Sequence, residues 1–302
     1  MIFTQECLMS TSVSGKSLLA GQGAIFAAAF LMSTNGLFIK LLPWHPVTMA
    51  GIRSMVAFVF LGILRLVSPP PKGTKNPVFP LLAAAVLFSV TIYLFFIANK
   101  LTTSANAIML QYGAPIWAAI LAWFLLKEKP HWEHWAALAL VFGGLALIFR
   151  DGLGRGALSG NAIAVLSGIT FGAHSVFLRM LKNGNPADAM LLTHLICALI
   201  GLPFIFLYPP TLTFSSVMSI LFMGIFQIGL ASLLFAFGLK IISAVEALLI
   251  DSIEPVLNPI WVLAITGEKA SIAALTGGAS IILAVVFSSL IGIRREKKES
   301  SA

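Results

Sequence analysis

Ten apolar runs fill this chain, at roughly 21–42, 47–67, 78–98, 104–126, 133–149, 159–181, 187–207, 213–236, 243–265 and 272–293. Each is close to the ~20 residues a helix needs to cross a bilayer, and about twice what a tilted strand needs. The runs are apolar on all sides rather than alternating, so helices are the expected solution: in lipid a helix satisfies its own backbone hydrogen bonds. Hydrophobic residues make up 59% of the sequence and charged residues 10%, against about 45–50% and about 25% in a soluble domain. The excess apolar surface has to face lipid. Ten spans leave no length for a soluble domain of ordinary size, and the later runs mark the first as a retained helix rather than a cleaved leader.

The net charge of +8 records orientation better than nucleic-acid binding, because basic and aromatic residues do not interleave along any exposed stretch. With both ends on the cytoplasmic side, thirteen of the nineteen basic residues fall inside and five outside, and Arg53 is left within a span. That asymmetry predicts cytoplasmic termini, with 1–20 as a leading segment and 294–302 as a basic tail. Cys7 and Cys197 are too few for a disulfide framework or a four-ligand zinc site.

A shift of 140 brings the chain onto itself. Pro46 meets Pro186, Leu94-Phe95 meets Leu234-Phe235, Lys100 meets Lys240, Ala107 meets Ala247, Pro115 meets Pro255, and Glu128-Lys129 meets Glu268-Lys269. Each copy, 21–150 and 157–293, holds five spans. An odd number obliges the second copy to enter the membrane from the opposite side, which gives an all-α integral membrane protein of ten helices built as two inverted five-helix repeats.

Two five-helix halves, each with a proline and a glutamate thirteen residues apart (Pro115 to Glu128, Pro255 to Glu268), resemble the EamA-type branch of the drug/metabolite transporter superfamily. The Gly143-Gly144 and Gly277-Gly278 pairs fit the same pattern. Lys127 departs from it, standing where a glycine commonly precedes the glutamate. The resemblance implies a carrier for small metabolites, often an exporter, in the inner membrane of bacteria. It implies no particular substrate.

Charged groups inside spans carry the functional information. By translocon scales each is disfavoured by about 2.5–3.5 kcal/mol at mid-bilayer, so Glu246, Asp251 and Glu254 in the ninth run would together cost on the order of 8–10 kcal/mol if they faced lipid. At 100° per residue all three lie within about 140° of one another, one broad acidic face directed at a central cavity. Their first-half counterparts, Asn106, Gln111 and Ala114, are uncharged. Either the acids bind a cation or proton, or they pack the halves together. Arg53 is the counter-ion for a substrate carboxylate or a structural partner of the acids. His174 and His194 are proton carriers or core histidines bonded to backbone. Asn35, which pairs with His174 through the repeat, and Tyr93, Gln111, Tyr112, Trp117 and Asn258 are polar-tipped candidates for the cavity wall. Pro115, Pro255 and Pro259 interrupt helices and mark either gating bends or fixed kinks.

Several motifs fail. Gly152, Gly154 and Gly156 lack the strand and spacing of a nucleotide fingerprint. His131-Trp132-Glu133-His134 is no metalloprotease motif. Neither a GxSxG elbow nor a Walker A sequence is present. The chain therefore reads as a secondary transporter working by alternating access, with amino acids or related amphipathic compounds as cargo and protons as candidate coupling ions. It needs no cofactor and acts as monomer or homodimer. A membrane enzyme or a passive channel is the alternative.

Overall fold

The computed structural model describes residues 15–34, 38, 42–71, 73–102, 104–149, 158–257, 260–261 and 272–299. Among them the regular structure is helical: α1 Gly15–Met32, α2 Pro46–Val67, α3 Val78–Leu101, α4 Ser104–Gln111, α5 Ala114–Leu126, α6 Trp132–Phe149, α7 Leu158–Met180, α8 Ala187–Leu207, α9 Phe214–Phe222, a π-helical segment Met223–Leu230, α10 Ala231–Ile241, α11 Ala244–Asp251 and α12 Ile272–Glu299. Six apolar helical stretches of 18 residues or more are long enough to cross a bilayer: Pro46–Val67, Val78–Ala98, Ala107–Leu126, Leu158–Met180, Ala187–Leu207 and Phe214–Ile241. Ser17–Met32, Trp132–Leu147 and Thr276–Gly292 supply shorter ones. The protein is a multi-pass membrane protein.

Helix starts follow local chemistry. Pro46 stands in the first turn of α2, where a missing N–H removes no bond. Thr213 and Ser216 close a reciprocal capping box on α9, and the Ser243 hydroxyl accepts from the Glu246 N–H at the start of α11. Around the outside, Leu66, Phe206, Phe214, Ile272 and Leu283 remain exposed, as residues on a lipid-facing belt do.

The halves run in opposite sense. The helix α2 packs on its repeat partner α8, with Thr48 Oγ1 donating to the carbonyls of Phe204 and Tyr208, Gly51 against Gly201, and Arg65 against Asp188. Numbers rise along one helix as they fall along the other, so the copies are antiparallel. The pair α6 and α12 behaves likewise: Ser280 Oγ donates to the carbonyl of Leu140 at 3.1 Å, its repeat counterpart, and Gly144 meets Gly277. Other contacts come in exchange-related sets: α3 packs on α7 as α10 packs on α1, and α3 packs on α8 as the π segment packs on α2. Both expectations, ten spans and two inverted repeats, hold.

Helix α5 ends on Lys127 at φ +59°, ψ +16°, the left-handed conformation. Helices commonly place glycine there because an L side chain is disfavoured. This explains why Lys127 looked out of place in the sequence. Lys127→Gly is expected to raise stability by about 0.5–1 kcal/mol. A detergent melt of the two proteins checks it, and an unchanged or lower Tm would contradict the assignment.

Candidate functional site

Two broken helices, one from each repeat, meet at their breaks. In the fourth span α4 stops at Gln111 and α5 begins at Ala114; in the ninth, α11 stops at Asp251 and helix resumes at Glu254. The breaks are copies at offset 140, bond for bond. Tyr112 N donates to Ile108 O at 3.0 Å and Ser252 N to Leu248 O at 3.2 Å. Gly113 N donates to Leu110 O at 3.2 Å and Ile253 N to Ile250 O at 3.1 Å. Ile116 N donates to Gly113 O, and Val256 N to Ile253 O, each at 3.0 Å. Interruption was expected at Pro115 and Pro255 themselves. Instead each proline stands in the first turn of the resumed helix, where its missing donor is harmless, and the break precedes it.

The breaks open on a cavity of about 110 Å³. Its polar wall is Arg53 from α2, Thr91 from α3, Gln111 and Tyr112 from the first break, Gln227 from the π segment, and Asp251 and Glu254 from the second break. Met32, Phe88, Ile92, Phe95, Phe96, Phe171 and Ile228 form the apolar wall. Tyr112 OH donates to Glu254 Oε2 at 3.0 Å, tying the two breaks together. Gln111 Nε2 donates to Ser167 Oγ at 2.9 Å, and Thr91 Oγ1 to Thr170 Oγ1 at 2.8 Å. Asp251 is 1% exposed, and its Oδ1 has no hydrogen-bond partner among the described residues. Arg53 is 6% exposed, and its Nη1 reaches Gln227 Oε1 at 3.5 Å; Gln227 Nε2 in turn donates to Thr34 Oγ1 at 3.0 Å.

Of the three acids expected on one face, Asp251 and Glu254 share this cavity and Glu246 does not. Glu246 Oε1 accepts from Gln22 Nε2 at 2.7 Å and lines a second cavity of about 260 Å³ at the basic face, with Glu128, Lys129, His131, His134 and Arg295. Azimuth alone misplaced it: five residues of helix also carry a group about 7.5 Å along the axis.

Tyr93, Trp117, His174 and His194 do not line this cavity. Tyr93 OH donates to the carbonyl of Cys197 at 2.8 Å. Trp117 packs near Gly172. His174 Nδ1 lies 2.8 Å from the carbonyl of Ala84, and its ring stacks on Phe88 at 4.4 Å. His194 Nε2 lies 3.1 Å from Ser232 Oγ, fully buried. Asn35, Asn258 and Pro259, and the side chain of Asn106, lie outside the described residues. Sequence reasoning missed Gln227, Thr91 and Ser167, uncharged residues with nothing to distinguish them from ordinary core polar groups. Among the described residues, no group of three or more His, Cys, Asp or Glu is placed to hold a metal ion.

Comparison with known proteins fits this arrangement. The EamA-like transporter family matches residues 19–150 and 158–290. The uncharacterized transporter YwfM of Bacillus subtilis is 26% identical over 285 residues, covering 92% of this chain and 96% of that protein. An uncharacterized transporter of Archaeoglobus fulgidus is 25% identical over 270 residues, 88% of this chain and 95% of that one. Solute carrier family 35 member G1 of Homo sapiens is 29% identical over 180 residues, 54% of this chain and 48% of that protein. A solved crystal structure superposes with a TM-score of 0.78 over 90% of this chain and 98% of that chain; at 17% identity the likeness is one of fold. Two matching units, arranged antiparallel around a broken-helix cavity and spanning nearly the whole sequence, make the chain a transporter that belongs to the EamA-like transporter family.

Proposed function

We propose that the protein carries small organic solutes, amino acids or related amphipathic compounds, out of the cell through the central cavity by alternating access. The units 21–150 and 157–293 rock against each other, and Asp251 exchanges the coupling proton. The protein sits in the bacterial inner membrane with both termini cytoplasmic, as the lysine and arginine asymmetry favours. The observation that carries the reading is the meeting of opposite charges in one small chamber: Arg53 on one repeat, Asp251 and Glu254 on the other. Such a chamber suits a solute bearing both a carboxylate and an ammonium. Arg53 takes the first by charge-assisted hydrogen bonds, and an acid takes the second. Phe88, Phe95, Phe96 and Phe171 cover an apolar remainder. Broken helices at the midplane of inverted repeats are where carriers of this architecture place their binding sites.

Counterflow in proteoliposomes tests this. Vesicles preloaded with each standard amino acid in turn are diluted into a trace of the labelled compound. A carrier gives transient accumulation above equilibrium for at least one of them. Equilibration without overshoot identifies a channel, and no uptake of any amino acid removes this cargo class.

A further inference from the structure

The eighth span differs from its copy. Residues 223–230 form a π helix, whereas the corresponding residues of the third span, 83–90, lie within the unbroken helix α3. π turns are rare and are found mostly at functional sites. This one is fitted to its surroundings. A side chain on Gly224 would come within 2.5 Å of Val56, and one on Gly229 within 2.8 Å of Phe60, so the widened turns lie tight against α2. The segment delivers Gln227, 2% exposed, to the cavity wall.

Gln227 joins three spans there. Its amide oxygen meets Arg53 of α2 at 3.5 Å, and its amide nitrogen holds Thr34, just beyond α1, at 3.0 Å. The contact to Arg53 is long for a hydrogen bond, and its acceptor is neutral. A carboxylate on the same guanidinium would bind at about 2.7–2.9 Å and roughly twice as strongly.

We propose that Gln227 is a placeholder for the solute. In the unloaded carrier its amide oxygen occupies the Arg53 position that an anionic group of the solute takes over. Arrival of that group releases Gln227 and slackens the tie among the first, second and eighth spans. Gln227 is thus a positioning residue acting through Arg53. It makes recognition of a carboxylate and loosening of the fold one event, because solute binding replaces a weak internal contact by a stronger external one. The inference rests on the transport reading above and adds to it a determinant of charge selectivity.

Proteoliposomes carrying the wild-type chain, Gln227→Glu or Gln227→Ala are assayed with the standard amino acids, each beside the amine that lacks its carboxylate. Gln227→Glu places a permanent internal carboxylate beside Arg53. It is expected to raise KM for the amino acid by about tenfold or more while KM for the matching amine moves less than about twofold. Gln227→Ala removes the competitor: KM for the amino acid falls, and kcat falls with it because binding no longer undoes a contact. If Gln227→Glu shifts both KM values together, or neither, the placeholder role is overturned while transport itself stands. If the wild-type protein moves no amino acid at all, the underlying reading fails and this one with it.

Discussion

Replacing Asp251 with asparagine is expected to erase the response of transport to an imposed pH gradient while leaving solute-for-solute exchange intact. Asp251 ends the first half of a broken helix, is 1% exposed, and keeps one carboxylate oxygen without a hydrogen-bond partner among the described residues. A buried acceptor in that condition is disfavoured by about 1–3 kcal/mol unless something binds it, and a proton is the smallest candidate. Asparagine preserves the shape and can neither take up nor release a proton. One pH unit supplies ~1.4 kcal/mol per proton, equivalent to a tenfold accumulation ratio. Wild-type vesicles should approach that ratio under a one-unit gradient, and the variant should stay near unity. Uptake by the variant that still follows the gradient would move the coupling site to another group, with Glu254 first in line.

The second large effect is structural. Gly51→Leu is expected to destabilise the protein by about 3 kcal/mol or more, at the upper end of overpacking penalties. A Cβ on Gly51 would lie 2.6 Å from the Cα of Gly201, backbone against backbone, so no rotamer change relieves it. Small residues at such crossings let membrane helices approach closely. Here the crossing joins a helix to its own repeat copy. Gly62→Leu on the same helix is the control, since nothing lies within 4 Å of its Cβ position. It should change stability by less than about 0.5 kcal/mol. Thermal unfolding in one detergent compares all three proteins, and equal melting points for Gly51→Leu and the wild type would refute the close crossing.

The architecture was legible because the repeat offset is a property of the chain itself. The shift that places Pro115 on Pro255 also places the end of α4 on the end of α11, and even their hydrogen bonds correspond. Asp251 and Glu254 were legible because charge within an apolar run has few places to go. Glu246 was assigned wrongly because a helical wheel discards height. Gln227 was invisible: no residue pattern announces a shift from α to π hydrogen bonding, and Gly224 and Gly229 read as ordinary packing glycines. Glu128 was legible only as the end of the repeated proline-to-glutamate spacing. Its partner, Arg179 Nε at 3.3 Å, stands 51 residues away, and only tertiary structure could supply it.

Three ion pairs among the described residues bear on how such a carrier diversifies. Arg65 with Asp188 and Arg179 with Glu128 bind one repeat to the other, Arg295 in the tail ties the end of α12 to Glu133 of the first repeat, and all three pairs sit at the basic face, away from the chamber. Exchanging a single charge on that rim would alter how readily the halves part there without altering what the chamber recognises. On the transport reading proposed above, selectivity and conformational bias are housed in separate residues, so descent with modification is free to adjust one while conserving the other.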